Sequence, residues 1–181
     1  KILNFGSLNI DYVYSVDHFV QKGETISSSQ MNIFSGGKGL NQSTALGRAG
    51  AQVFHAGRIG KGGEFLVEQL KEAGVNTDLV VLDSQCSTGH AIIQNDAEGD
   101  NCILLYGGAN QRITKEQIDA TLDQFDAGDY LVLQNETSNL PYLMEKAAEK
   151  QMKIVLNPSP MDEKIKALPL DKVTLFFVCL L

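Results

Sequence analysis

The sequence has little of what several function classes require. Its three cysteines, Cys86, Cys102 and Cys179, are odd in number, far apart and outside CxxC spacing. They do not make a disulfide framework or a zinc site, and a reducing cytoplasm fits them best. The three histidines, His18, His55 and His90, form no HxH, HExxH or HxxxH pair. They read as surface or half-buried strand residues rather than as metal ligands or a catalytic base. No apolar run reaches the ~20 residues of a membrane-spanning helix. Positive charge is scarce, with 15 Lys+Arg against 22 Asp+Glu and a net charge of −7. This argues against nucleic acid or an anionic membrane surface as the main partner. A phosphate-bearing ligand, which needs only local positive potential, is not excluded. A dinucleotide fingerprint is missing too, because Ser7, Leu8 and Asn9 follow Gly6 where GxGxxG would begin.

What is present is a soluble core composition. The 181 residues are 43% hydrophobic and 20% charged, enough for one domain with at most a small appendage. The opening KILNFGS is too short for a signal peptide and reads as a strand. Residues 1–6, 52–57, 79–82, 130–134, 153–156 and 173–178 are Val/Ile/Leu/Phe-rich and mostly not alternating, as in strands covered on both faces. Helical spacing lies between them. Leu66, Leu70 and Ala73 share a stripe, and Gly74 is the stop. Ile118, Leu122 and Phe125 share another, with Thr114 and Gln117 spaced as a capping box. Leu140, Leu143, Met144 and Ala147 share a third, with Pro141 in the first turn. Such alternation predicts an α/β fold with a mainly parallel sheet.

Residues 12–35 and 89–106 break the pattern. They read as antiparallel strands of a second, smaller sheet, a β lid over the carboxyl ends of the parallel strands. The α/β core is then 1–11 and 36–181. An exposed lid face or edge calls for cover, for example from a second subunit.

Polar residues gather at the strand ends. Gly36-Gly37-Lys38-Gly39 precedes a helix that begins near residue 39, so backbone N–H groups and the helix N-terminus can approach an oxygen-rich ligand. It is not a Walker A loop, because Asn32 and Gly39 stand where that motif needs Gly and Ser/Thr, and a glycine-rich turn of purely structural use is the competing reading. Asn9 and Asp11, alternate residues past the first strand, point the same way and suit sugar hydroxyls. An Asx-type turn is the competing reading. Gln134-Asn135-Glu136, Gly107-Gly108-Ala109-Asn110 and Asn157-Pro158-Ser159-Pro160 complete the rim.

The run GGKGLNQSTALGRAGA at 36–51 resembles the N-terminal signature of the PfkB carbohydrate kinase family. The ordered set LNID at 8–11, GET at 23–25, IGKGGEF at 59–65, STG at 87–89, GAN at 108–110, LQNE at 133–136 and NPSP at 157–160 looks most like the family's ribokinase branch. The resemblance runs from residue 3 to about 178. It implies a ribokinase-like fold, ATP as phosphoryl donor with Mg2+, a monovalent cation such as K+, a sugar or nucleoside substrate, and a homodimer formed through the lid. It implies that Asn9 and Asp11 hold sugar hydroxyls, that Gly37, Lys38 and Asn41 sit against sugar and incoming phosphate, that Ala109 lines the pocket, and that Glu136 closes its far side. Ribose phosphorylated to ribose 5-phosphate fits this set best. Fructose, a nucleoside or a keto-sugar acid stays open, as does a non-catalytic sugar-binding or dimerisation module.

The family's second signature, a DTxGAGD segment carrying the catalytic base and anion hole, has no counterpart here. Asp129 lacks the glycine-rich approach and precedes a strand, so it is not assigned as the base. The expectation is the sugar-binding part of a longer kinase, with no catalytic base of its own, no complete ATP site and little or no transfer activity.

Overall fold

The computed structural model describes residues 1–178; Cys179, Leu180 and Leu181 lie outside the described residues. In chain order the elements are β1 (Ile2–Phe5), β2 (Asn9–Ser15), β3 (Gln30–Gly36), α1 (Lys38–Arg48), β4 (Val53–Lys61), α2 (Glu64–Glu72), β5 (Asn76–Ser87), β6 (Gly89–Asn95) and β7 (Asn101–Tyr106). They continue with α3 (Lys115–Leu122), β8 (Tyr130–Gln134), α4 (Leu140–Glu149), β9 (Lys153–Asn157) and β10 (Val173–Phe176).

Six strands form a parallel sheet in the order β10-β9-β8-β1-β4-β5. The non-alternating apolar runs of the central strands have the physical cause read from sequence, since helices cover both faces of the sheet there, whereas the edge strand β10 leaves Leu175 and Phe176 exposed. On one face Leu3, Phe5, Leu131 and Leu133 meet Ile118 and Leu122 of α3 and Leu143 and Met144 of α4. On the other, Val53 and Ile59 meet Leu40 of α1 and Leu66 and Leu70 of α2. No helix among the described residues is long and apolar enough to cross a membrane.

The second sheet runs β3-β2-β6-β7 and corrects the expectation of antiparallel pairing. The hairpin partners are antiparallel, but β2 and β6 pair in parallel, from Asn9↔Gly89 to Ser15↔Asn95. The reason is topological. Strands β1 and β5 run the same way in the core, and each continues upward into the lid. The lid also begins earlier than residue 12, because β2 starts at Asn9, and β3 extends to Gly36.

Two local expectations need correction. The capping box at α3 is half formed. Thr114 Oγ1 accepts from Gln117 N at 3.2 Å, but the Gln117 side chain reaches away to Gly57 O and Arg58 Nε. His55 is neither at the surface nor half-buried; it is completely buried on β4. His18 is exposed and His90 half-buried.

His55 belongs to a polar chain sealed between α1 and the sheet. Gln134 Nε2 donates to Asn4 Oδ1 (2.9 Å) and to Gln42 Oε1 (2.7 Å). Asn4 Nδ2 donates to Gly39 O and Ser43 Oγ, both at 2.8 Å. Ser43 Oγ lies 2.7 Å from His55 Nδ1. Asn4, Ser43, His55 and Gln134 are fully buried, so these bonds have no water to replace them. They fix how α1 lies across β1, β4 and β8.

Burial holds the His55 imidazole at a pKa of about 4, below its ordinary 6.5. The unfolded chain takes up this proton below about pH 6.5, while the folded chain resists it until about pH 4. Stability is therefore complete above that window and falls through it on acidification, by about 3 kcal/mol in total. Chemical denaturation between pH 7.5 and pH 4.5 will show this slope, and His55→Gln will flatten that part of it. A wild-type stability with no decline over the window would contradict the assignment.

Candidate functional site

The site is assembled where β1 and β8 end and α1 begins. After β1 the chain turns at Gly6-Ser7, and the first turn of α1 lies directly on that turn. A Cβ on Gly39 would stand 2.4 Å from Ser7 N and 2.6 Å from Gly6 Cα, so only glycine allows this approach. The contact lets Leu40 N donate to Ser7 O (2.9 Å) and Gly39 N to Ser7 Oγ (3.2 Å). Gly37, the N-cap of α1 with φ of 96°, closes the turn.

Glu136, just beyond β8, faces this helix end. Its Oε1 accepts from Lys38 Nζ at 2.7 Å, and its Oε2 accepts from Lys38 N at 3.0 Å and from the Ser7 hydroxyl. Its side chain is only 6% exposed, against 39% for Lys38. One carboxylate thus accepts from a backbone donor at the α1 N-terminus, a hydroxyl and an ammonium.

The lid supplies the opposing wall. Asn9 and Asp11 lie on the same side of β2, opposite Gly36 and Phe34 of β3. Asp11 packs against the bare Cα of Gly36, where an added Cβ would come within 2.1 Å of Asp11 Oδ2. Burial raises the Asp11 pKa above its ordinary value, repulsion from Glu136 adds to the rise, and Lys38 offsets part of it. Asn9 Oδ1 accepts from Asn110 Nδ2 at 2.8 Å. A cavity of about 280 Å3 opens between Asn9, Leu105 of β7, Asn135, Glu136, Pro160 and Lys164.

The structure brings Asn9, Asp11, Gly37, Lys38 and Glu136 to this one rim. Asn41 lies one turn past Lys38 on α1 and is exposed. Ala109 is fully buried and supports the wall from behind. Asp129 stands at the start of β8, the end of the sheet remote from Glu136. Three contributors were not assigned from sequence. Ser7 had a signal, a hydroxyl in the turn after the first strand. Asn110 had one in the GAN run. Lys164 had none, because its place at the cavity depends on how the chain folds after Pro160.

Two carboxylates, an amide and an ammonium gather at one rim, a set of acceptors (Asp11, Glu136) and donors (Asn9, Lys38) of the kind that complements hydroxyl groups. The described residues hold no cluster of three or more His, Cys, Asp or Glu side chains suited to a metal ion.

Comparison with known proteins gives the same direction. Residues 1–178 match the model of the pfkB family of carbohydrate kinases. A ribokinase of Staphylococcus aureus is 34% identical over 97% of this chain and 58% of its own length. One of Haemophilus influenzae is 35% identical over 86% of this chain and 52% of its own. The crystal structure of a Cryptococcus neoformans ribokinase in complex with ADP superimposes with a TM-score of 0.84 at 36% identity, covering 97% of this chain and 55% of that one. The chain thus spans little more than half the length of these relatives. With the parallel sheet, the lid and the rim between them in place, the chain belongs to the pfkB family of carbohydrate kinases.

Proposed function

We propose that the protein transfers a phosphoryl group from ATP to a sugar hydroxyl, with ribose as substrate and ribose 5-phosphate as product. The observation that carries this reading is the Asp11, Lys38 and Glu136 set beside Asn9, closed in between lid and sheet. Its charge pattern grips hydroxyls, and the relatives matched at 33% identity or more over most of the chain are named for ribose.

Asp11 and Asn9 hold the sugar from above, and Glu136 holds it from the far side. Lys38, at the α1 N-terminus, places positive potential beside the hydroxyl that reacts. Asn41, one turn further along α1, contacts the sugar only when the lid closes on it. Bound ATP supplies the phosphoryl group. Mg2+ and a monovalent cation are assigned to the nucleotide and its surroundings, because these side chains form a hydroxyl-binding set. A cytoplasmic location belongs to the same reading. None of the described residues is assigned as the proton acceptor; the residues of this rim are proposed to bind the sugar.

The lid is proposed to pair with that of a second copy. It exposes Ile33, Phe34, Ile103, Leu104 and Tyr106, more apolar surface than a solvated sheet of this size needs.

Isothermal titration with ribose, 2-deoxyribose, fructose and adenosine is expected to show saturable binding that is tightest for ribose. Glu136→Gln and Asp11→Asn will each weaken it about tenfold or more, the cost of losing a charged hydrogen-bond partner. Asp11→Asn will also raise the melting temperature, because its elevated pKa means the ionised carboxylate disfavours the folded state at neutral pH. Absence of sugar binding, or variants that bind like wild type, would sink the reading. Sedimentation is expected to give a dimer. Ile103→Asp and Leu104→Asp, on opposite faces of β7, identify the pairing face by which one yields a monomer, and a dimer in both would refute pairing through the lid.

A further inference from the structure

The lid leaves and rejoins the core at Leu8–Asn9, Gly36–Gly37, Thr88–Gly89 and Gly107–Gly108. Three of these four crossings meet at one residue, Asn110, which is 2% exposed: two at its side-chain amide and the third at its backbone N–H. Asn110 Oδ1 accepts from Leu8 N at 3.0 Å, and Nδ2 donates to Leu8 O at 3.2 Å. Gly89 makes room for the amide, since a Cβ there would lie 2.2 Å from Asn110 Nδ2 and 2.4 Å from Asn9 Oδ1. The backbone of Asn110 extends the junction: its N–H donates to Gly107 O (3.1 Å), and its carbonyl accepts from Ser138 N (3.0 Å), two residues past Glu136.

The orientation of this amide is not a free choice. Leu8 N can only donate and Leu8 O can only accept, so Asn110 must turn Oδ1 to the first and Nδ2 to the second. The remaining Nδ2 hydrogen goes to Asn9 Oδ1 at 2.8 Å. This in turn settles Asn9. Its oxygen is engaged from behind, which leaves Nδ2 to face the cavity that Asn9 lines. Next to it stands Asp11, a pure acceptor when ionised. A donor and an acceptor side by side suit adjacent hydroxyls, one accepting and one donating.

We propose that Asn110 is a positioning residue: it sets the Asn9 amide with its N–H donors toward the substrate and ties three lid crossings into one junction. Asn110 borders the cavity as well, but both hydrogens of its amide and the lone pair facing Leu8 N are used within the protein, so its amide acts on a ligand through Asn9. The inference deepens the sugar-kinase reading and rests on it for the identity of the ligand.

Asn110→Asp tests it. The carboxylate still accepts from Leu8 N but cannot donate to Asn9, so the Asn9 amide turns over and offers the substrate an oxygen. Ribose affinity is expected to fall about tenfold or more, while the double variant Asn9→Ala/Asn110→Asp binds no more weakly than Asn9→Ala alone, because Asn110 acts through Asn9. Asn9→Asp, which keeps the bond from Asn110 and removes the outward donor, is a second route that leaves the junction intact and is expected to lose affinity similarly. A readout without sugar is the 15N spectrum of the Asn9 side-chain amide, whose protons move downfield in Asn110→Asp as they turn to the carboxylate. Unmoved Asn9 protons, additive losses in the double variant, or wild-type affinity in Asn9→Asp would overturn the inference. A wild-type chain that binds no sugar would instead overturn the kinase reading, with the Asn9 spectrum still deciding the junction.

Discussion

The site depends on one close backbone contact, where the first turn of α1 rests on the Gly6-Ser7 turn after β1. Side chains at 6 or 39 would separate the two by the width of a methyl group. The Ser7 bonds to Leu40 N and Gly39 N would then break, and the Ser7 hydroxyl could no longer reach Glu136. The helix N-terminus, the lysine that follows it and the carboxylate that faces both are all placed by that contact. The sealed Gln134–Asn4–Ser43–His55 chain secures the same helix one turn further on. Its bonds lie out of reach of water, so a shift of α1 would leave their buried donors and acceptors unpaired, and that cost sets the helix orientation.

The two acidic residues of the rim are in different electrostatic situations although both face the same space. Glu136 is held by three donors. Asp11 accepts no hydrogen bond among the described residues, is partly buried, and feels the negative charge of Glu136. The folded state therefore tolerates ionised Asp11 rather than favouring it. An incoming hydroxyl would relieve that tension, giving a binding energy that the empty protein does not already spend. In the proposed reading Glu136 supplies a preformed wall and Asp11 the gain on binding.

Much of this was legible in the sequence because it rests on local chemistry. The apolar runs gave the strands, the 3.6-residue stripes gave α2, α3 and α4, and the glycines around Lys38 marked the helix end that the site uses. The misreadings have one cause, long-range geometry. Parallel pairing of β2 with β6 follows from two core strands, β1 and β5, that lie far apart in sequence. The Gln117 side chain left its capping box because Gly57 O and Arg58 came within reach. His55 reads as an ordinary strand residue, and only the packing of α1 over β4 buries it. Lys164 reached the cavity through a loop path that no periodicity encodes.

The rim also separates recognition from chemistry. Asp11 and Glu136 face each other across the rim, Lys38 is bonded to Glu136, and the α1 N-terminus is already matched by the same carboxylate. Such a set holds neutral hydroxyls well and a polyphosphate poorly, because like charges in a partly buried space repel strongly. Phosphoryl transfer needs the opposite, positive potential and oriented donors around the migrating group. A protein that does both must set the two at different walls of one cleft, with the hydroxyl at the boundary. In the proposed reading Lys38 stands at that boundary, bonded to Glu136 and 39% exposed on its other side, so the two demands meet at this residue.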